Sequence, residues 1–299
     1  MKLAYYPGCS LEGVGLEYNL SMKAVAKHLG IELWEIPDWN CCGSSPAHNT
    51  NQLLGLALPA RNLAMVEKEG LDVAVPCAAC YSRMKAANIA VRQSETLKQE
   101  ISEIIEMDFQ GTAEIRNVLD VMINVVGLSF IQEKVVKPLT GLKVASYYGC
   151  LLVRPPEIAQ FDDVENPMSM DHIVEALGGT PVDWAYKVEC CGAGLTSTLP
   201  KAAIPLVHYI LQNAYENGAD CIAVACPMCF VNLDMHQADA KKRFGVDYNL
   251  PIFYITELMG VAFGYAPKDL GLGKHFVNPM PLIQSKEILT HPSARREEA

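Results

Sequence analysis

At 299 residues the chain has room for two domains of roughly 150 residues, each long enough to bury a core. Half of it is hydrophobic and 19% is charged, which excludes a disordered or low-complexity chain. A net charge of -10 argues against nucleic acid and anionic lipid as partners.

The amino terminus, MKLAYYPGCS, has no apolar stretch of signal-peptide length. No segment offers the ~18 uninterrupted apolar residues of a membrane span. Leu119 to Ile131 comes nearest and is broken by Asp120, Asn124 and Gly127. A cytoplasmic protein is expected, and in that reducing compartment eleven cysteines read as thiols, ligands or catalytic groups rather than structural disulfides.

In chain order, Leu3 to Tyr6 predicts a short strand, followed by Cys9. Ile31 to Ile36 predicts a second, followed by Cys41, Cys42 and Gly43. Residues 51 to 69 space Leu53, Leu54, Ala57, Leu58 and Leu63 for a helix, with Gly70 as its C-cap. Leu71 to Val75 predicts a third strand, followed by Cys77-Ala-Ala-Cys80 and a helix over Tyr81 to Val91. A helix at Leu97 to Glu106 comes next, and Ile115, Leu119, Met122 and Val126 are spaced for another that packs on this half as core.

A boundary near Pro138 to Gly141 predicts two domains, 1–139 and 140–299. Beyond it the scheme repeats: strands at Val144 to Tyr147, Pro181 to Ala185 and Ile222 to Ala225 precede Cys150, the pair Cys190 and Cys191, and Cys226-Pro-Met-Cys229, with a helix over Phe230 to Lys242. This is the βαβ rhythm of an α/β fold: two pseudo-symmetric, Rossmann-like halves, each a small parallel sheet flanked by helices. Every cysteine cluster follows a strand, so all should gather at the carboxyl edge of a sheet, where such folds bind ligands.

The cysteine spacing is itself duplicated. Cys9, 31 residues, Cys41-Cys42, 34 residues and C-x-x-C is matched by Cys150, 39 residues, Cys190-Cys191, 34 residues and C-x-x-C. The flanks repeat too: KLAYYPGC parallels KVASYYGC, and a glycine follows each double cysteine. Cys221 has no counterpart and reads as a buried core residue.

Four thiolates satisfy a zinc ion or an ordinary four-iron cluster, but each half offers five. Neighbouring residues of an extended chain face opposite ways, so a double cysteine is poorly placed to clasp one small ion unless the glycine turn relaxes it. A structural zinc protein and a metal-free dithiol enzyme of the strand, C-x-x-C, helix type stay open at this point, although each leaves cysteines idle.

With two copies of C…CCG…C-x-x-C, the chain resembles the duplicated CCG-domain family of heterodisulfide reductase B subunits. The segments YITELMGVAFG and GLGKHFVNP add weaker likeness. The resemblance implies two noncubane [4Fe-4S] clusters, one on Cys9, Cys41, Cys42, Cys77 and Cys80, the other on Cys150, Cys190, Cys191, Cys226 and Cys229. It implies an oxidoreductase that clamps a disulfide, such as the coenzyme M–coenzyme B heterodisulfide, between the clusters and reduces it to two thiols with one electron from each. The implied partners are a ferredoxin-like C subunit and a flavin-containing A subunit, since the chain has no C-x-x-C-x-x-C-x-x-x-C run of its own. The alternative is an electron-relay subunit of a quinone reductase or of a lactate or glycolate oxidation complex.

Of the remaining residues, His48 lies near a double cysteine and reads as an ordinary polar residue beside a helix start, with proton donation to a departing thiolate as the sharper idea. His208 reads as a helix residue, and Lys241, Lys242 and Arg243 as cations at a helix C-terminus before Gly245. The last residues, HPSARREEA, read as a polar tail.

Overall fold

The computed structural model describes residues 1–44 and 46–286; the tail and Ser45 lie outside them. The first half is a four-stranded, all-parallel sheet in the order β2-β1-β3-β4, built from β1 (Lys2–Tyr5), β2 (Glu32–Glu35), β3 (Val73–Val75) and β4 (Ile115–Asn117). The second repeats the order as β6-β5-β7-β8, with β5 (Lys143–Tyr147), β6 (Thr180–Pro181), β7 (Cys221–Val224) and β8 (Ile252–Tyr254). Both sheets are flanked by helices, as the α/β reading requires.

The connecting helices form where propensity and caps agree. The helix Gln52–Glu69 starts at Asn51, whose side chain accepts from the Leu54 amide at 3.0 Å, and stops at Gly70 in the left-handed conformation. The C-x-x-C segments open the helices Ala78–Gln93 and Pro227–Met235, with Cys77 and Cys226 as their N-caps. The helix Gln237–Phe244 carries Lys241, Lys242 and Arg243 in its last turn before Gly245, as expected of cations at the negative end of a helix.

Four elements differ from the sequence expectation. Each sheet has a fourth strand, and Ile115, read as helical, lies on one of them; Asn117 then caps the turn at Asp120 and the chain widens into π-type turns over Val121–Val126. The second sheet's edge strand is only Thr180–Pro181, because beyond Val182 the chain leaves the sheet and buries Trp184, whose indole donates to Ser146 O at 3.1 Å. The expected helix Phe230 to Lys242 is two helices that break at His236.

The halves lock through the helix Leu16–His28 of the first and the segment that follows β8 in the second. Tyr18 stacks on Tyr254 at 4.1 Å, and Tyr254 on Phe230 at 4.2 Å, forming an aromatic column across the junction. Ser21 and Thr256 hydroxyls bond at 2.7 Å, and the Tyr81 hydroxyl donates to Ala159 O at 2.5 Å.

Candidate cofactor site

In a parallel sheet of order 2-1-3-4 the connections diverge between the first and third strands, leaving a crevice at their carboxyl ends. Cys9 follows β1 and Cys77 follows β3; Cys150 follows β5 and Cys226 follows β7. The double cysteines come in after β2 and β6. Topology thus brings residues some seventy positions apart to one edge.

The two adjacent cysteines of each pair part company, as extended neighbours must. Cys42 is buried and its sulfur lies 3.1 Å from Cys80; Cys191 is likewise buried, 3.7 Å from Cys229. Cys41 and Cys190 face out, in hydrogen-bond contact with Cys9 and Cys150. Gly43 and Gly192 make the turn possible, with φ of +75° and +82°; a Cβ on Gly43 would stand 2.7 Å from that of Ala47.

The innermost thiols meet across the halves. Cys77 and Cys226 are in hydrogen-bond contact, and the Ala78 amide also reaches Cys226. Pro227, at the position matching Ala78, has no N–H to return. In the contacts of Cys42 with Cys80, Cys190 with Cys150 and Cys226 with Cys77, one sulfur is favoured as thiolate and its neighbour holds the proton. The Cys80 thiol brings Cys42 down to about 7, and the Cys150 thiol brings Cys190 down to about 6, with the Gly192 amide 3.4 Å from the Cys190 sulfur. Cys226, bonded by Cys229 and Cys77, is lowered well below the ordinary thiol value, whereas Cys77, Cys80 and Cys229 are raised.

The five motif cysteines of the second half, Cys150, Cys190, Cys191, Cys226 and Cys229, share one cavity of about 240 Å³, which Ser44, Ala78 and Ala79 of the first half also enter. Apart from its cysteines, no lining residue carries a charged or imidazole side chain. Among the described residues no three His, Cys, Asp or Glu side chains stand close enough to hold a single metal ion. Five soft donors spread around a cavity of this size fit a multinuclear metal–sulfur cluster better than one small cation.

The other sequence candidates fall outside this set. His48 spends Nδ1 on Ser44 O at 3.2 Å, on the loop behind the double cysteine. Cys221 is fully buried on β7, its thiol pushed up by desolvation. His208 stacks on Phe244 at 3.8 Å and bonds the Tyr248 hydroxyl at 3.0 Å, well within its helix. Sequence reasoning passed over Tyr6 and Tyr147, although the signal was present: a tyrosine three residues before the first cysteine of each half.

Comparison with known proteins agrees with this duplication. The cysteine-rich CCG domain family matches residues 3–85 and again 144–234. The 8-methylmenaquinol:fumarate reductase membrane anchor subunit of Wolinella succinogenes is 34% identical over 94% of this chain and 99% of its own. The B subunit of the ferredoxin:CoB-CoM heterodisulfide reductase of Methanosarcina mazei is 30% identical over 94% and 96%. A protein of Archaeoglobus profundus described as like the heterodisulfide reductase B subunit is 28% identical over 90% and 93%. A crystal structure of a hypothetical protein from Helicobacter pylori shares the fold with a TM-score of 0.75 at 14% identity, covering 93% of this chain. The chain spans about half of that protein, 52%, and the likeness speaks to fold alone.

Proposed function

The chain belongs to the CCG cysteine-rich domain family and carries the domain twice; from that premise we propose that it is the cluster-bearing subunit of a heterodisulfide reductase-type complex, reducing a disulfide to two thiols. One observation carries the reading: two equivalent sets of five thiols converge on adjoining sheet edges and touch at Cys77 and Cys226. The proposed ligands are Cys9, Cys41, Cys42, Cys77 and Cys80 for one noncubane [4Fe-4S] cluster, and Cys150, Cys190, Cys191, Cys226 and Cys229 for the other. Such clusters, when bound, supply single electrons, and two of them match the two electrons a disulfide takes up with two protons.

The chain's own contribution is binding and shielding. Helix N-termini at Cys77 and Cys226 favour charged sulfur. The buried Cys42, Cys80, Cys191 and Cys229 keep water from the inner side, while the outward Cys9, Cys41 and Cys190 leave the other side approachable. Electrons would arrive from a ferredoxin-like C subunit, itself supplied through a flavin-containing A subunit. Among the described residues no helix is long and apolar enough to cross a membrane, and a cytoplasmic location is part of the proposal.

A second reading, an electron-relay subunit working toward a quinone, is favoured by the Wolinella succinogenes relative and by a cavity lining that, cysteines apart, carries no charged side chain. Anaerobic purification with iron and sulfide quantification tests the shared premise: about eight irons per chain are expected. Turnover with disulfides but not with quinols supports the first reading, and the reverse supports the second. Zinc in place of iron would overturn both.

A further inference from the structure

Two tyrosines occupy matching positions and make the same contact. Tyr6 stands three residues before Cys9 and donates its hydroxyl to Asn40 O at 2.8 Å; Asn40 immediately precedes Cys41. Tyr147 stands three residues before Cys150 and donates to Glu189 O at 2.6 Å; Glu189 immediately precedes Cys190. Each phenol therefore ties the end of one strand to the loop after the neighbouring strand.

The surroundings repeat as well. A Cβ on Gly8 would lie 3.1 Å from the Tyr6 ring and 3.4 Å from the Cys80 sulfur; on Gly149 it would lie 3.6 Å from the Tyr147 ring and 2.9 Å from the Cys229 sulfur. Each ring thus lies over a glycine that is itself pressed against the last cysteine of the set, so one side chain bonds the second cysteine-bearing segment and reaches the third through the glycine of its own. A tryptophan flanks each ring, Trp39 at 5.5 Å and Trp184 at 6.2 Å.

We propose that Tyr6 and Tyr147 are paired positioning residues that hold the two double-cysteine loops in register with the other cysteines of their halves. The peptide unit is planar, so fixing the carbonyl of residue 40 or 189 fixes the direction in which the chain enters Cys41 or Cys190. That direction decides which sulfur turns outward and which turns in. Burial, followed by the charge of the nearby cysteines, raises both phenols far above their ordinary value, so each stays a donor throughout the working pH range.

The clasps differ in one respect. Asn40 O also accepts from Asn62 Nδ2 at 2.9 Å, and the Asn40 amide donates back to Asn62 Oδ1 at 3.0 Å. In the second half the tyrosine bonds Glu189 O, and among the described residues no asparagine makes an equivalent clamp on Glu189. Removing the hydroxyl should therefore matter more at Tyr147 than at Tyr6.

The test uses the full, metal-free, reduced chain, alkylated with iodoacetamide and mapped by mass spectrometry. Tyr147→Phe keeps the ring and should raise the rate at buried Cys191 about fivefold, the effect of losing one net hydrogen bond, with Cys42 unchanged. Tyr6→Phe should raise Cys42 by a smaller factor and leave Cys191 alone. Tyr81→Phe, which removes a buried hydroxyl bonded to Ala159 O, controls for general loosening and should change neither.

Cys191 at the wild-type rate in Tyr147→Phe, or an equal rise at both cysteines in all three variants, overturns the proposal. The consequence for the clusters rests on the ligand reading above: in iron-loaded Tyr147→Phe about half of the iron should leave faster to a chelator, with the rest at the wild-type rate. A wild-type chain that takes up no iron would sink the ligand reading, while the alkylation map still judges the clasp.

Discussion

Asp171 and Lys187 are both almost fully buried, 1% and 2% exposed, and face each other at 3.1 Å. Tyr148, the residue before Gly149 and Cys150, donates to the other oxygen of Asp171 at 2.9 Å. Burial raises the Asp171 carboxyl in spite of the ammonium beside it, so desolvation dominates here. Deleting one partner leaves the other buried without compensation, which costs about 3–5 kcal/mol. Asp171→Ala should therefore lower stability by about that amount in urea unfolding. Asp171→Leu with Lys187→Met should recover much of it, and an additive double variant would contradict the coupling.

Two other buried carboxyls make stability depend on pH. Burial pushes Glu17 up to about 7, with the Glu257 carboxylate adding and His275 and Lys274 opposing. Asp234 is pushed up to about 6 by burial, against the amides of Phe276 and Val277 that donate to it. Both folded values lie above the ordinary 4.5 and 3.8, so the fold prefers the protonated forms. Their contribution is whole below about pH 4 and is lost as pH rises through 6 to 7. Unfolding free energy should fall across that window. Glu17→Gln should flatten the fall and gain up to about 3 kcal/mol over wild type at pH 8, whereas an unchanged slope would reject the assignment.

At the scale of elements, β1, β3, β5 and β7 were legible because each is a short, largely apolar run followed within four residues by a cysteine, as with Val73–Val75 before Cys77. The ten paired cysteines announced the duplication and the sheet edge together. The fourth strands were not legible. Ile115 sits four residues before Leu119 and so continued a helical period by coincidence, while Ile252–Tyr254 runs directly into the helix Ile255–Ala262. The edge strand at Thr180–Pro181 was overestimated because pairing with β5 stops at the Val182 amide, which donates to Val144 O at 2.9 Å, and Trp184 is apolar for packing over β5, not for pairing. The tyrosine clasps were visible as letters, but a side-chain bond to a carbonyl 34 or 42 residues away is a product of the fold.

Gly43 and Gly192 carry an element-scale prediction. Alanine there meets both a left-handed backbone and a close neighbour, Ala47 Cβ at 2.7 Å in one case and Leu206 Cδ1 at 3.0 Å in the other. Gly→Ala at a site that cannot accommodate it costs more than ~1 kcal/mol. Gly43→Ala, with its closer neighbour, should lower the melting temperature more than Gly192→Ala, and each should reduce iron uptake by its own half. Equal uptake in both variants and wild type would show that the turn tolerates a side chain.

The whole molecule is more entwined than its linear duplication implies. Tyr18, Met22 and Val25 of the helix Leu16–His28 are fully buried. The same helix is covered in part by the second half, through Tyr254 at the end of β8 on Tyr18, Phe263 on His28 at 4.5 Å, and the Tyr265 hydroxyl on Ala24 O at 3.1 Å. Separating the proposed domains 1–139 and 140–299 would bare this face of the first and the matching face of the second. A Tyr or Met side chain returned to water forfeits ~1.5–3 kcal/mol, so exposing several approaches the whole stability of a domain. The intact metal-free chain should therefore unfold in a single urea transition by both fluorescence and circular dichroism. The 1–139 fragment alone should be aggregated or molten, and co-expression with 140–299 should restore a soluble pair. Two well-separated transitions in the intact chain, or a cooperatively folded 1–139, would show instead that each half carries its own stability and that the aromatic column only docks them.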